Sequence, residues 1–397
     1  MRTLLATLIA IGAYAIMSGF LTQGGVILRP AALEFGRTAA ATAPLFSYLL
    51  GGNLVGFVLC LVLFDVLSIK RVFTLAYAVL FAGVAFIVTA HTFASAAIGF
   101  ALAGFGAGIG LSCGAVIITR SYAAHRRAAA FLGTDCAFSV AGFVFPAIAS
   151  FALGAGGSWH TGYLVVAVCA ALLLVLALLV PLPDGLPAAP AIDDALHESA
   201  PAVAGARVRV ALFAAGLCLY LCGQSTFLTW APLALAERFA LPASQANAIV
   251  GTFWGPSIIG LLTAGVLVSV VAPRAVLACA GTVAALCTCA LALAWSAPAF
   301  FVLTLVFGLT STCMYKLMIS IGSEQVVTPS PRLVTLLLLA GAVGGMLAPA
   351  LSGWVVATFG LQAGTVMTFV CYAGALVAVL AGLGLEAAGG VRRAVPS

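Results

Sequence analysis

The sequence predicts an all-α membrane protein of twelve transmembrane helices, arranged as two pseudo-symmetric six-helix bundles. Three observations carry this. Of the 397 residues 64 % are hydrophobic and 7 % charged, against roughly 25 % charged residues in soluble domains. Apolar runs long enough to cross a bilayer, about 20 residues each, recur twelve times with one polar stretch in the middle. Text from the first half also returns in the second at a fixed spacing, as internal duplication requires. Lipid offers the backbone no hydrogen-bond partner, so spans are helices or closed barrels, and these unbroken runs lack the alternation of barrel strands.

The first span, 4–28, follows Arg2 and resembles a signal peptide. Its apolar run is too long for one and has no clear cleavage site, so it reads as an uncleaved span. Four more follow at 43–64, 72–90, 96–119 and 128–153, and a sixth at 162–180 closes the first half. A stretch rich in Pro and Ala with Asp184, Asp193, Asp194 and Glu198 then reads as a linker. The second half supplies spans at 208–233, 246–271, 275–295, 299–321, 333–358 and 363–383. The expected organisation is a first half at 1–181, a cytoplasmic linker at 182–207 and a second half at 208–397.

Charge sets the expected orientation. With the N-terminus in the cytoplasm, twelve Lys or Arg lie on that side, Arg29, Arg37 and Arg238 lie outside, and Lys316 falls within a span. That bias obeys the positive-inside rule. The opposite orientation would expose Lys70, Arg71, Arg120, Arg126 and Arg127 outside, and an even number of spans returns the C-terminus to the cytoplasm. The expected setting is therefore a bacterial inner membrane, multi-pass, with both termini cytoplasmic.

The duplication is visible in the fifth and eleventh spans. Val140, Gly142, Pro146 and Ala147 recur as Val343, Gly345, Pro349 and Ala350, a constant offset of 203 residues. The first and seventh spans share Phe-Leu-Thr, at Phe20 to Thr22 and Phe227 to Thr229, at nearly the same offset.

Charges within spans are expensive and mark functional hypotheses. Asp135 lies eight residues after Arg127, and Lys316 eight residues before Glu324, each about 12 Å along its helix from the cytoplasmic end. At matched depth the two could pair across a central cavity, and protonation of Asp135 would weaken the pair and couple proton movement to opening. The opposing reading makes Asp135 a packing group and Lys316 a side chain that snorkels to the interface. Gln23, Asn53, Gln224, Asn247 and Trp254 are the candidate substrate contacts, since amides and aromatics can hydrogen-bond and stack on a small polar solute; interhelical hydrogen bonding is the alternative. Tyr14, Tyr220, Phe227 and Trp230 are weaker candidates.

Other patterns exclude function classes. Gly104, Gly106, Gly108, Gly110 and Gly114 lie mid-membrane, where small residues serve close helix packing. Gly110-Leu111-Ser112-Cys113-Gly114 matches a serine nucleophile motif, yet His91, His125, His160 and His197 all fall in loops or at span ends, so no enzyme is expected. The eleven cysteines lack companions at ligand spacing, so neither metal nor cofactor is expected. No Walker pattern points to an ATP-driven pump, no repeated filter segment to a channel. The net charge of +6 is scattered rather than patched, which argues against nucleic acid. The expected partners are a small-molecule substrate, a proton and the lipid bilayer, with the chain a monomer.

Several islands carry a resemblance: Thr134-Asp135 with Phe138-Ser139, Gly142 and Pro146; Gly223-Gln224 with Phe227, Trp230 and Pro232; Phe253-Trp254; and Gly322-Ser323 with Gln325, Pro329-Ser330-Pro331 and Leu333-Val334. They resemble the major facilitator superfamily, and more closely the TsgA-like branch of its fucose-proton-symporter family. The resemblance implies two parallel six-helix repeats with substrate bound between them near the midplane, alternating access, and proton symport of a small polar, sugar-like solute. It marks Asp135 and Gln224 as family-like positions. Efflux of a metabolite or drug, and a sensor with the same fold, are the competing expectations. Where the sugar symporters carry carboxylates in the first and fourth spans, this chain has Gln23-Gly24-Gly25 and Leu111-Ser112.

Overall fold

The computed structural model describes residues 2–182, 205–326 and 331–388. The expected linker at 182–207, apart from its ends, and Pro329-Ser330 lie outside the described residues. The first half contains α1 (Arg2–Thr22), α2 (Gly24–Glu34), α3 (Ala39–Thr42), α4 (Pro44–Val66), α5 (Ile69–Val88), α6 (Phe93–Ser121), α7 (Ala124–Gly154) and α8 (Thr161–Leu179). The second contains α9 (Ala206–Arg238), α10 (Ala243–Leu267), α11 (Pro273–Leu293), α12 (Ala297–Ser323), α13 (Pro331–Phe359) and α14 (Gln362–Ala388). Among the described residues twelve segments are long and apolar enough to cross a membrane, α3 and α4 counting as one.

Helix starts follow local chemistry. The Ser68 hydroxyl accepts from the Arg71 amide at the head of α5, Thr92 and Ser95 form a reciprocal capping box at α6, and Ser296 caps α12; each satisfies amides that the first turn leaves unpaired. Helices also outrun the apolar text. α7 begins at Ala124 and α9 extends over 33 residues to Arg238, because Arg, Glu and Ala favour helix whether or not they favour lipid. The expected single span at 4–28 is instead interrupted at Gln23, between α1 and α2.

The two halves repeat one packing scheme. In the first, α6 packs on α1, α4 and α5, while α1 also packs on α7 and α8. In the second, α12 packs on α9, α10 and α11, while α9 packs on α13 and α14. The correspondence reaches single residues. A Cβ at Gly104 of α6 would collide with the Leu49 carbonyl, and one at Gly52 with that of Ala101; in the second half Gly308 and Gly260 face the Phe253 and Leu309 carbonyls in the same way. Only glycine permits these backbones to approach so closely.

The start of α1, the ends of α8 and α14 and the start of α9 lie on one face, called here the terminal face; α2 and α3 lie on the opposite, distal face. On the terminal face Arg274 of α11 bridges Glu386 of α14 at 2.8 Å and Glu324 at the end of α12 at 3.3 Å. Gln325 accepts from Arg209 of α9 at 2.8 Å. One polar network thereby ties four helices of the second half. Between the halves, α4 packs on α13, α7 on α10, α2 on α9 and α3 on α13.

Candidate functional site

Asp135 enters from α7 and Lys316 from α12, and Lys316 Nζ stands 3.2 Å from Asp135 Oδ2. The pair joins the two halves within the membrane-spanning part of both helices. Their side chains retain 20 % and 49 % exposure, so the ammonium is reachable from outside the protein core. Ser18 of α1 donates to the Phe138 carbonyl at 2.6 Å, which fixes α7 against α1 beside Asp135. On the other side an aromatic ladder leads away from Lys316. Its Nζ lies 5.8 Å from the Tyr315 ring centroid, Tyr315 stacks on Tyr220 at 6.2 Å, and the Tyr220 hydroxyl accepts from Gln224 Nε2 at 3.2 Å.

Toward the distal face the α7–α10 contact is carried by Trp254. Its ring meets Phe138 edge-on at 5.6 Å, and a Cβ at Gly142 would lie only 2.9 Å from it. The indole is 6 % exposed, yet among the described residues Nε1 has no hydrogen-bond partner. A buried indole N–H usually has one. Beyond it, Asn247 Nδ2 of α10 donates to Ser150 Oγ of α7 at 3.1 Å. At that level Gly25 of α2 sits where a Cβ would collide with the Leu228 carbonyl of α9, which brings the halves into backbone contact at the distal face. A crevice of about 470 Å³ remains there, with Arg29, Ser150, Pro232 and Asn247 in its wall.

The sequence-predicted residues therefore separate into groups. Asp135, Lys316 and Gln224 are connected through the tyrosine ladder, with Trp254 against Phe138 on the same α7. Asn247 is part of the distal seal. Gln23 and Asn53 are packed inside the first half: Gln23 Nε2 donates to Gly19 at 2.6 Å and its Oε1 lies against Gly162 of α8, while Asn53 Nδ2 lies 3.0 Å from Met17 Sδ. Sequence reasoning missed Tyr315 and the Arg274 network. The network left a signal, since Arg274, Glu324 and Glu386 all flank span ends that topology brings to one face.

The Major Facilitator Superfamily family model matches residues 3–326. The chain belongs to this superfamily. Over 354 residues this major facilitator protein is 27 % identical to the TsgA homolog of Yersinia pestis (strain Pestoides F), covering 88 % of each chain. Its fold superposes on a D-xylose-proton symporter with a TM-score of 0.77 at 16 % identity, covering 96 % of this chain and 97 % of that one. It superposes on the major facilitator transporter FucP in the outward conformation with a TM-score of 0.65 at 15 % identity, covering 96 % and 99 %. The TsgA-like resemblance read from the sequence islands is thus matched in sequence, and the major facilitator architecture in fold. Superfamily and fold make the protein a multi-pass membrane transporter, not an enzyme.

Proposed function

We propose that the protein is a proton-coupled symporter that moves a small polar, sugar-like solute across the bacterial inner membrane by alternating access, as a monomer with both termini cytoplasmic. The observation that supports it is the Asp135–Lys316 ion pair, which links the halves at 3.2 Å inside the membrane. With Asp135 ionised, the pair clamps α7 to α12. Proton binding to the carboxylate removes its charge and leaves Lys316 without a counterion, so the clamp weakens and the terminal face opens. The halves at 1–181 and 208–397 rock about α4–α13 and α7–α10, and the segment 182–207 tethers them.

Substrate recognition in this reading falls to Trp254, whose indole N–H is buried without a partner, and to Gln224 on its tyrosine ladder. A donor held ready in an apolar, aromatic setting suits a hydroxyl or carbonyl oxygen of a neutral solute. Gln23 and Asn53 take the framework role that their hydrogen bonds within the first half support, and Asn247 takes the distal gate. The likeness to a D-xylose-proton symporter supports a sugar-like cargo.

The test is uptake of labelled sugars and nucleosides into proteoliposomes under an imposed pH gradient, after a thermal-shift screen has chosen the solute. Accumulation that follows the gradient and collapses with a protonophore is expected. Flux indifferent to the gradient overturns the coupling, and no flux across a broad panel overturns the transport of such solutes.

A further inference from the structure

The terminal face of the first half carries a feature outside the site described above. An open groove of about 410 Å³ runs between α5 and α8, lined by Leu67, Lys70, Arg71, Thr74, Leu75 and Leu178. Two cations stand at its mouth and no carboxylate lines it. Lys70 Nζ is pinned by donating to the Leu178 carbonyl at the end of α8. The Arg71 guanidinium is exposed, and among the described residues it makes no hydrogen bond or ion pair. Both cations occupy the first turn of α5, whose helix dipole adds positive potential at the same place.

Below the cations the groove turns apolar. Leu75 lies about 6–8 Å further along α5. Leu75 is 56 % exposed, and on α8 Val175 and Leu172 leave apolar surface bare at greater depth, while Leu67 and Leu178 flank the cations at the mouth. These side chains face outward from a helix pair on the protein perimeter, where the bilayer is the solvent. A cationic mouth at interface depth above an apolar channel has the amphipathic profile of a phospholipid. The charge selects an anionic one, since basic pockets between spans recognise phosphate head groups.

We propose that this groove binds one anionic phospholipid, its phosphate held by Arg71 and Lys70 at the mouth beside Leu67 and Leu178, and an acyl chain laid along Leu75 of α5 and Val175 and Leu172 of α8. The site lies wholly in the first half, so its occupant braces α5 against α8 without spanning the moving interface.

Thermal unfolding of the full chain in non-ionic detergent tests this, with added dioleoylphosphatidylglycerol compared with dioleoylphosphatidylcholine. Phosphatidylglycerol is expected to raise the apparent Tm above the phosphatidylcholine value. Arg71→Gln should reduce that difference by about half or more, as expected when a ligand loses affinity for the native state. Arg126→Gln, which removes another exposed cation of the same face, should leave it unchanged. Leu75→Trp keeps both cations and fills the channel, and it should also lose the difference; it stands in if Arg71→Gln fails to fold. Equal shifts with the two lipids, an unchanged difference in both groove variants, or an equal loss in Arg126→Gln each overturn the proposal. So does a shift reproduced by water-soluble glycerol 1-phosphate, which would make the ligand a free anion.

Discussion

An ionised carboxylate inside a membrane span is tolerated when a counterion lies close, and Asp135 has Lys316 Nζ at 3.2 Å. If that pair transmits the proton gradient, removing the titratable proton while keeping the side chain's shape separates coupling from binding. Asp135→Asn is expected to lower gradient-driven accumulation by about tenfold or more, within the range of site-to-site coupling energies, while counterflow exchange persists. Full gradient-driven uptake by the variant would remove Asp135 from the mechanism. Trp254 permits a finer substitution. Trp254→Phe keeps an aromatic ring against Phe138 and Gly142 but deletes the unpartnered N–H, so apparent affinity should fall by about three- to tenfold, the worth of one hydrogen bond, with thermal stability almost unchanged. Affinity equal to wild type would show that the indole only fills space. The carboxylate and the lysine were legible in the sequence because a charge in an apolar run announces itself. The indole's missing partner was not, since it depends on Phe138 and Gly142 arriving from another helix.

Elements are held at crossings where glycine replaces side chains. Gly308 on α12 meets the Phe253 carbonyl of α10, whereas a Cβ added at Gly265 on α10 would find nothing within 4 Å. The same change of glycine to alanine should therefore have opposite signs at the two sites. Gly308→Ala drives backbones apart and should cost about 1–3 kcal/mol, as overpacking does. Gly265→Ala meets no obstacle and gains about 0.5–1 kcal/mol of helix stability. Thermal unfolding in detergent reads both, and equal effects would mean that the α10–α12 crossing is looser than its geometry. At this scale the sequence was informative where patterns are local: glycines in the fourth span foretold close packing, and twelve apolar runs foretold twelve spans. Ends were less legible, because hydropathy stops at the first charge while the helix continues, as in α7 and α9. The interruption at Gln23 was hidden for a different reason. It accompanies the contact of Gly25 with α9, which no pattern within the first span reports.

At the scale of the whole molecule the distal face is shut by contacts between halves: α2 on α9, α3 on α13, and Asn247 on Ser150. The Asp135–Lys316 pair lies on the terminal side of Trp254, so the halves are joined by packed helices on one side of the indole and by a breakable ionic link on the other. Alternating access requires that the distal contacts also part during each cycle. Ser150 and Asn247 mark where this can be tested, since their polar atoms are 3.1 Å apart and the two side chains belong to different halves. A Ser150→Cys, Asn247→Cys variant should form a disulfide under mild oxidation, the close approach of the side chains suiting the short reach of that bond. The cross-link holds the distal face closed, so uptake should fall to about a tenth of the reduced value or less if closure is one end of the transport cycle, and reductant should restore it. Each variant with only one of the two introduced cysteines, beside the eleven native ones, should keep its uptake under the same oxidant. Undiminished uptake by the cross-linked protein would mean that the distal seal is permanent and that solute takes another path.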